Sequence, residues 1–250
     1  MLYLRSGLFN IIFIGWTAFL LLILWILMPF SRHVFRRGIA LWPKLIVPVL
    51  RVLLGITFEM KGTENIPDEP VIFAAKHQSA WDTMFFLWLN QENAYIMKGE
   101  LNKIPFWKWY MNKSQHVVVD RSGAASAMRK MVTDSQHILS DGRSIVIFPE
   151  GTRSAPGSAN KYHPGVAALY MQTERKVIPV ALNTGLFWGR RQFLKKPGKM
   201  TVEFLCPIEP GLDRKTFMTQ LETGIEEATR RLEKEVLNQP FHNSAQTVEN

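Results

Sequence analysis

The sequence predicts an α/β protein with a central, mostly parallel or mixed sheet of about seven strands flanked by helices, behind an N-terminal membrane-embedded helical segment. Three observations support this fold class. Beyond residue 58, short β-branched runs alternate with longer stretches of helical periodicity. The runs at 71–75 and 145–148 are apolar throughout, which is typical of strands covered on both faces. The segment at 6–28 is apolar and carries no charge.

This first segment is long enough to cross roughly 30 Å of hydrocarbon as a helix. A cleaved signal peptide is the alternative, but the apolar run is too long, and no small-residue cleavage site closes it. Arg5 precedes the segment, whereas Arg32, Arg36 and Arg37 follow it. Because positive charge favours the cytoplasmic side, we expect a membrane protein whose main body, beyond this segment, faces the cytoplasm.

A second apolar stretch, at 39–58, contains Pro43, Lys44, Pro48 and Arg51. Prolines and charges make a plain membrane-spanning helix costly. We therefore predict an interfacial or re-entrant helix, and a hairpin dipping into one leaflet also fits. The chain is divided into a membrane-anchoring helical region, an α/β domain and a tail, at residues 1–56, 57–238 and 239–250.

Within the domain, hydrophobic periodicity predicts the elements in order. The strands are residues 58–61, 71–75, 94–97, 117–119, 145–148, 177–182 and 201–205, and the helices are residues 81–89, 124–139, 166–173 and 215–237. The last helix follows an Asp213 cap and repeats apolar residues every three or four positions, so one face should pack. Pro179 lacks a backbone donor, which favours an edge position or a bend for its strand.

The composition restricts partners and chemistry. A formal net charge of +9 favours an acidic surface, either nucleic acid or anionic lipid. No nucleic-acid motif accompanies the basic residues, so the lipid bilayer is the predicted partner and nucleic acid is not. Cys206 is the only cysteine, which excludes an internal disulfide, and the histidines lack paired ligand spacing, so no metal is predicted.

The first candidate motif is His77-Gln-Ser-Ala-Trp-Asp82, which supplies a histidine and a carboxylate. On a regular helix these two side chains would lie about 140° apart, so a helical stripe cannot bring them together. A junction from loop to helix can, with Ser79 as N-cap and Asp82 in the first turn. Such a pair can take a proton from a hydroxyl. The alternative is a capping acid beside an ordinary loop histidine.

The second candidate motif is Phe148-Pro-Glu-Gly-Thr-Arg-Ser154. Gly151 lets backbone N–H groups approach an anion, while Thr152 adds a hydroxyl and Arg153 a forked cation, which indicates a phosphate site. Each motif follows an apolar strand. Because ligand sites gather at the carboxyl ends of strands in open α/β sheets, both motifs are expected at one edge of the sheet.

From about residue 57 to 212 the chain resembles the glycerolipid acyltransferases of the 1-acylglycerol-3-phosphate (lysophosphatidate) acyltransferase family. Four blocks carry the resemblance: the two motifs above, Val117-Val-Val-Asp-Arg121 and Val177-Ile-Pro-Val-Ala181. The segment Lys98-Gly-Glu-Leu-Asn-Lys-Ile-Pro105 also looks like the family. One departure is Gln115, where the family usually has a glycine six residues before the arginine; the substitution puts the local turn in doubt.

The resemblance implies a direct transfer of a fatty acyl chain from acyl-CoA or acyl-carrier protein to the sn-2 hydroxyl of lysophosphatidate, forming phosphatidate, with no cofactor beyond the donor. His77 would be the general base and Asp82 would orient it. The substrate-binding residues implied are Lys98, Arg121, Glu150, Gly151, Thr152 and Arg153, with Glu150 near the glycerol and the others around the phosphate.

Two alternatives remain open. The same motifs suit an acyltransferase for another lysophospholipid or for glycerol 3-phosphate. A different class, a non-catalytic lipid-binding membrane scaffold that retains the fold, predicts that the motif residues are dispensable. Aromatic and basic residues intermix at 104–113 and 186–196, which suits a headgroup interface or an ordinary core edge.

Overall fold

The computed structural model describes residues 1–103, 106–120 and 124–238. The predicted tail at 239–250 and the candidate residue Arg121 lie outside the described residues. The helices are α1 (Leu2–Leu27), α2 (Arg32–Ile39), α3 (Leu41–Leu54), α4 (Ala80–Leu89), α5 (Trp107–Ser114), α6 (Ala124–Ser140), α7 (Gly165–Thr173) and α8 (Arg214–Leu237). The strands are β1 (Ile56–Lys61), β2 (Ile72–Ala75), β3 (Ala94–Lys98), β4 (Val117–Val119), β5 (Ile145–Ile147), β6 (Val177–Leu182) and β7 (Gly198–Phe204).

The strands form a seven-stranded sheet in the order β1-β7-β6-β2-β5-β3-β4. Neighbouring strands run parallel except β6 and β7, which are antiparallel. The predicted α/β fold class with a mixed sheet is therefore confirmed. Strand β2 lies between β5 and β6, so the carboxyl ends of three parallel strands are adjacent at the middle of the sheet.

The core lies on both faces of the sheet because successive strand residues point to opposite sides. In β2, Phe73 and Ala75 pack with residues of α1, α3 and α4, whereas Ile72 and Ala74 pack with residues of α6, α7 and α8. Every residue of β2 and β5 is buried. Both strands are thus covered on two sides, as their continuous apolar runs predict.

Helix α1 is long and apolar enough to cross a membrane, and much of its surface is exposed. Its other face packs on the rest of the chain. The hydroxyl of Ser6, near the start, accepts a hydrogen bond from the backbone N–H of Lys195 at 3.0 Å. Near the end, the Leu21 carbonyl accepts one from the Tyr110 hydroxyl at 2.8 Å. Because α1 contacts the domain close to both ends, it lies along the domain rather than projecting from it.

The second apolar stretch is not one helix. Helix α3 ends at Leu54, Gly55 caps it, and the chain continues directly into β1 at Ile56. The predicted elements of the domain are present, with ends that differ by a few residues at most, and α5 was not predicted. Leu50 and Leu54 of α3 are buried against the sheet, so the N-terminal helices share a core with the domain.

Pro179 was predicted to place its strand at an edge or to mark a bend, and the edge position is wrong, because β6 lies between β7 and β2. The Pro179 carbonyl accepts a hydrogen bond from the N–H of Leu205 at 2.9 Å. Strand β7 ends one residue earlier, at Phe204. The backbone N–H that Pro179 lacks would therefore lie where the hydrogen bonds between β6 and β7 stop. An interior strand can tolerate a proline at such a place.

Candidate active site

The two motifs meet at the carboxyl ends of β2 and β5, which are parallel neighbours. The backbone N–H of Ser154 donates to the carbonyl of His77 at 2.8 Å. The N–H of His77 in turn donates to the Glu150 carboxylate at 3.3 Å. These bonds fix the two loops against each other, so residues separated by about seventy positions in sequence share one site.

Asp82 orients the histidine from the first turn of α4. Its Oδ2 atom lies 2.9 Å from Nδ1 of His77 and accepts the backbone N–H groups of Gln78 and Ser79 at 2.7 and 2.8 Å. Its Oδ1 atom accepts the hydroxyl of Thr184 at 2.6 Å. Asp82 is fully buried, and the capping box with Ser79 is complete. The same carboxylate thus both caps the helix and contacts the imidazole.

The imidazole of His77 is held in a defined plane. It stacks on the Phe148 ring with centroids 4.0 Å apart and an angle of 18°. Because an ionised carboxylate only accepts hydrogen bonds, Nδ1 of His77 carries the proton that faces Asp82, and Nε2 has a free lone pair. The side chain of His77 is 15% exposed, enough to reach a substrate. The arrangement can act as a general base.

A cavity of about 740 Å³ opens beside the histidine. Apolar residues from both the N-terminal helices and the domain line it, among them Leu20, Leu24, Trp107, Met111, Met131 and Val166. The same cavity is lined by Gly151 and by polar residues, including His77, Lys98, Thr152, Arg153 and Arg190. A mainly apolar cavity with a few polar groups suits an amphiphilic ligand.

Positive charge gathers at the polar residues of the cavity. Burial lowers the pKa of the Arg153 guanidinium, and repulsion from Arg190 lowers it further. Arg190 donates a hydrogen bond to the Arg153 carbonyl at 3.3 Å, which holds the two cations close together. Among the described residues, neither forms a salt bridge with a carboxylate. A bound phosphate would relieve this repulsion.

Glu150 is buried, and its carboxylate is used inside the protein. One oxygen accepts from the N–H of His77 and lies 3.3 Å from Nζ of Lys76. The other accepts two hydrogen bonds from Asn160, both at 3.1 Å. Five protein groups surround the carboxylate, the fifth being the Ser154 hydroxyl at 3.3 Å. The place beside the glycerol that the resemblance implies for Glu150 stays a prediction. Glu150 holds the two loops together.

Gly151 sits in a tight turn with φ 62°, a conformation that favours glycine, and its N–H donates to the Phe148 carbonyl at 2.8 Å. This N–H therefore serves the turn instead of pointing at a ligand. Thr152 and Arg153 follow the turn and line the cavity.

Known proteins resemble this chain in sequence and in fold. The family model described as Acyltransferase matches residues 57–183, which include both motifs. The chain belongs to the acyltransferase family. The expectation of an enzyme of this family is thereby confirmed, and the polar residues of the site described above lie within the matched residues except for Thr184 and Arg190.

Two relatives within the acyltransferase family have the same name. A protein of Pseudomonas aeruginosa named 1-acyl-sn-glycerol-3-phosphate acyltransferase is 32% identical over 176 residues, covering 70% of this chain and 68% of that one. A protein of the same name from Limnanthes alba is 30% identical, covering 75% of this chain and 66% of that one. The chain thus spans about two thirds of these relatives' length.

A solved acyltransferase structure has the same fold. The crystal structure of the 1-acyl-sn-glycerophosphate (LPA) acyltransferase PlsC from Thermotoga maritima matches with a TM-score of 0.64 and 26% identity, covering 95% of both chains. The N-terminal helices are therefore included in the common architecture.

Several residues of the acyltransferase site had no predicted role. Phe148 stacks on His77, Thr184 bonds to Asp82, and Arg190 lines the cavity. Thr184 lies just beyond the end of β6, so the rule that sites gather at strand ends could have identified it. Arg190 lies within the aromatic and basic stretch at 186–196, which was interpreted as a headgroup interface or an ordinary core edge.

Proposed function

We propose that this protein transfers a fatty acyl chain from an acyl thioester, acyl-CoA or acyl-carrier protein, to the free sn-2 hydroxyl of lysophosphatidate, forming phosphatidate. The observation that carries the proposal is that His77, oriented by Asp82, lines the same cavity as the paired cations Arg153 and Arg190. The relatives named 1-acyl-sn-glycerol-3-phosphate acyltransferase support this acceptor.

In the proposed reaction, Nε2 of His77 removes the hydroxyl proton as the oxygen attacks the thioester carbonyl carbon. Asp82 stabilises the imidazolium that forms. The tetrahedral intermediate then collapses, the carbon–sulfur bond breaks, and the imidazolium returns its proton to the thiolate. The products are an ester and a free thiol. No acyl-enzyme is required, because the thioester is already activated and the acceptor is held beside the base.

The acceptor's phosphate would bind to Arg153 and Thr152, with Lys98 and Arg190 adding charge from the same cavity. Arg121 keeps its proposed phosphate role from the sequence. Gly151 contributes the turn that presents Thr152 and Arg153, and Glu150 fixes that turn to the histidine loop. The apolar lining of the cavity provides a place for a fatty chain.

The proposed location is the cytoplasmic face of a lipid bilayer. Apolar side chains cover the exposed surface of α1, including Leu8, Ile11, Ile14, Phe19, Leu22 and Ile26. Because α1 contacts the domain near both ends, we infer that it lies in one leaflet instead of crossing. A crossing helix would draw those domain contacts into the hydrocarbon.

This topology can be tested with single cysteines. In a Cys206→Ser background, which removes the exposed native thiol, Tyr3→Cys and Phe30→Cys mark the two ends of α1. In sealed inside-out vesicles, a membrane-impermeant maleimide should label both positions. Labelling of one end from each side of the membrane would instead show that α1 spans.

The reaction is tested with purified protein in lipid, measuring transfer of a labelled acyl chain from both donors to a panel of acceptors. We expect phosphatidate from the wild type and a rate lower by about 10²–10⁴ for His77→Ala. His137→Ala, on the exposed side of α6, is the matched control and should keep the wild-type rate. Arg153→Ala and Arg190→Gln should mainly raise KM for lysophosphatidate.

The alternatives predict other outcomes. Faster transfer to a different lysophospholipid or to glycerol 3-phosphate would replace the proposed acceptor. Equal behaviour of the wild type and His77→Ala, with every donor and acceptor, would contradict catalysis and favour a lipid-binding scaffold.

A further inference from the structure

Helix α8 carries two buried carboxylates, Glu226 and Glu233, on the face that packs against the domain. Residues seven apart are about two helical turns apart and share a face. Buried carboxylates are rare because they lose hydration, and they persist only where other groups bond to them. Helix α8 lies beyond residue 183, where the match to the family model ends.

Glu226 binds the residue that precedes the histidine. Its two oxygens accept hydrogen bonds from Nζ of the fully buried Lys76 at 2.8 and 3.1 Å, and one oxygen also accepts the hydroxyl of Tyr162 at 3.0 Å. The Lys76 ammonium lies 3.3 Å from Glu150 as well. One lysine therefore connects α8 with the second motif.

Glu233 binds the residue that follows the histidine. Its Oε1 atom accepts the side-chain amide of Gln78 at 2.7 Å, and its Oε2 atom accepts the N–H of Gly157 at 2.9 Å. The Gln78 carbonyl oxygen accepts the N–H of Gly185 at 3.1 Å. A Cβ atom at position 185 would lie only 3.0 Å from the Cβ of Gln78, so glycine permits this close approach.

These contacts alternate around His77. In extended chain, successive side chains point to opposite sides. Lys76 and Gln78 point towards α8, while His77 between them lines the cavity. Helix α8 thus forms hydrogen bonds with the residue immediately before His77 and with the residue immediately after it.

We propose that Glu226 and Glu233 are positioning residues that hold His77 in its productive orientation through Lys76 and Gln78. This inference rests on the proposed function for its kinetic consequence. Neither glutamate touches the substrate cavity; each fixes the backbone on one side of the base. A displacement of about 1 Å at a reacting group can lower a rate by about 10²-fold. Loss of the hydrogen bonds from α8 should therefore lower kcat.

The first test is Glu233→Gln, which keeps size but replaces an acceptor oxygen with a donor. We expect kcat to fall by about 10- to 100-fold, with KM for lysophosphatidate changed by less than about twofold. Glu227→Gln, one residue from Glu226 on the exposed side of α8, is the matched control and should match the wild type.

A reciprocal exchange supplies the rescue. In Gln78→Glu combined with Glu233→Gln, the amide at 233 can donate to the carboxylate at 78. Its oxygen still accepts the N–H of Gly157, and the carboxylate still accepts the N–H of Gly185. All three hydrogen bonds are kept, and we expect kcat within about threefold of the wild type. An exchanged protein as slow as Glu233→Gln would overturn the proposal.

Hydrogen exchange provides a readout that does not depend on activity. The amides of residues 77–79 should exchange faster in Glu233→Gln than in Glu227→Gln, at a temperature where thermal melts show both variants folded. Equal exchange and equal kcat in the two variants would overturn the positioning role. An inactive wild type with every acceptor would contradict the proposed function instead, while the exchange comparison would still decide whether α8 holds the histidine loop.

Discussion

Nδ1 of His77 lies 2.9 Å from Oδ2 of Asp82, and the same oxygen accepts two backbone N–H groups at the start of α4. One carboxylate oxygen therefore both caps a helix and sets the tautomer of the imidazole. The capping interpretation and the catalytic interpretation of this motif are compatible, because the cap is what holds the carboxylate rigid beside the ring.

Asp82→Asn tests this dual use. The amide oxygen should stay at the Oδ2 position, because the backbone N–H groups of Gln78 and Ser79 donate there, and the NH2 group then faces the Thr184 hydroxyl. The substitution therefore removes the negative charge that stabilises the imidazolium while it keeps the proton on Nδ1. We expect kcat to fall by about 10²–10⁴ with little change in KM. Steady-state acyl transfer measures the rate, and a thermal melt controls for the weakened cap. A rate within threefold of the wild type would contradict the role of Asp82.

Thr184→Val removes the hydroxyl that donates to Oδ1 of Asp82 at 2.6 Å in the buried site. A hydrogen bond to a charged group contributes about 1.5–3 kcal/mol. If part of this energy orients Asp82, kcat should fall about tenfold, and Thr184→Ser should recover most of it. Equal rates for the valine and serine variants would show that the hydroxyl does not matter.

Local features of the fold were predictable from sequence because their signals are local. The Ser79 and Asp213 caps mark the starts of α4 and α8, and both caps form the predicted hydrogen bonds. The continuous apolar runs identify β2 and β5 as strands covered on both faces. Two neighbouring parallel strands then place their following loops together, which accounts for the meeting of the two motifs.

The contacts that complete the site were not predictable in the same way. Thr184 lies 102 residues from Asp82, and Glu233 lies 155 residues from Gln78. Spacing in sequence gives no direct information about such pairs, since they depend on strand order and on the packing of α8. The interior position of β6 was missed for the same reason.

His116 provides a test of pH dependence. Its Nδ1 atom accepts the N–H of Tyr95 at 3.2 Å, and burial, with repulsion from Arg143 and then Arg36, lowers the pKa of His116 from 6.5 to about 3. Between these values the unfolded chain binds a proton that the folded protein does not. Stability is therefore full above pH 6.5 and falls as the pH decreases, by about 1.4 kcal/mol per unit.

The matched variant is His116→Asn, whose side-chain oxygen can still accept the Tyr95 N–H but does not titrate. Between pH 7 and pH 5 the wild type should lose about 2 kcal/mol more stability than this variant. Denaturant unfolding in detergent at several pH values measures the difference. Parallel pH curves for the two proteins would show that His116 is readily protonated in the folded state.

Gln115 tests the one departure from the family pattern. It ends α5 with φ 58°, and its side-chain oxygen accepts a hydrogen bond from Arg36 at 3.2 Å. A left-handed conformation costs a residue with a Cβ about 1–2 kcal/mol, so glycine is the residue that this backbone conformation favours. Gln115→Ala loses the hydrogen bond and keeps the strain, whereas Gln115→Gly loses the bond and relieves it. We therefore expect the glycine variant to be more stable than the alanine variant by about 1 kcal/mol, measured by denaturant unfolding, and the reverse order would contradict a strained turn.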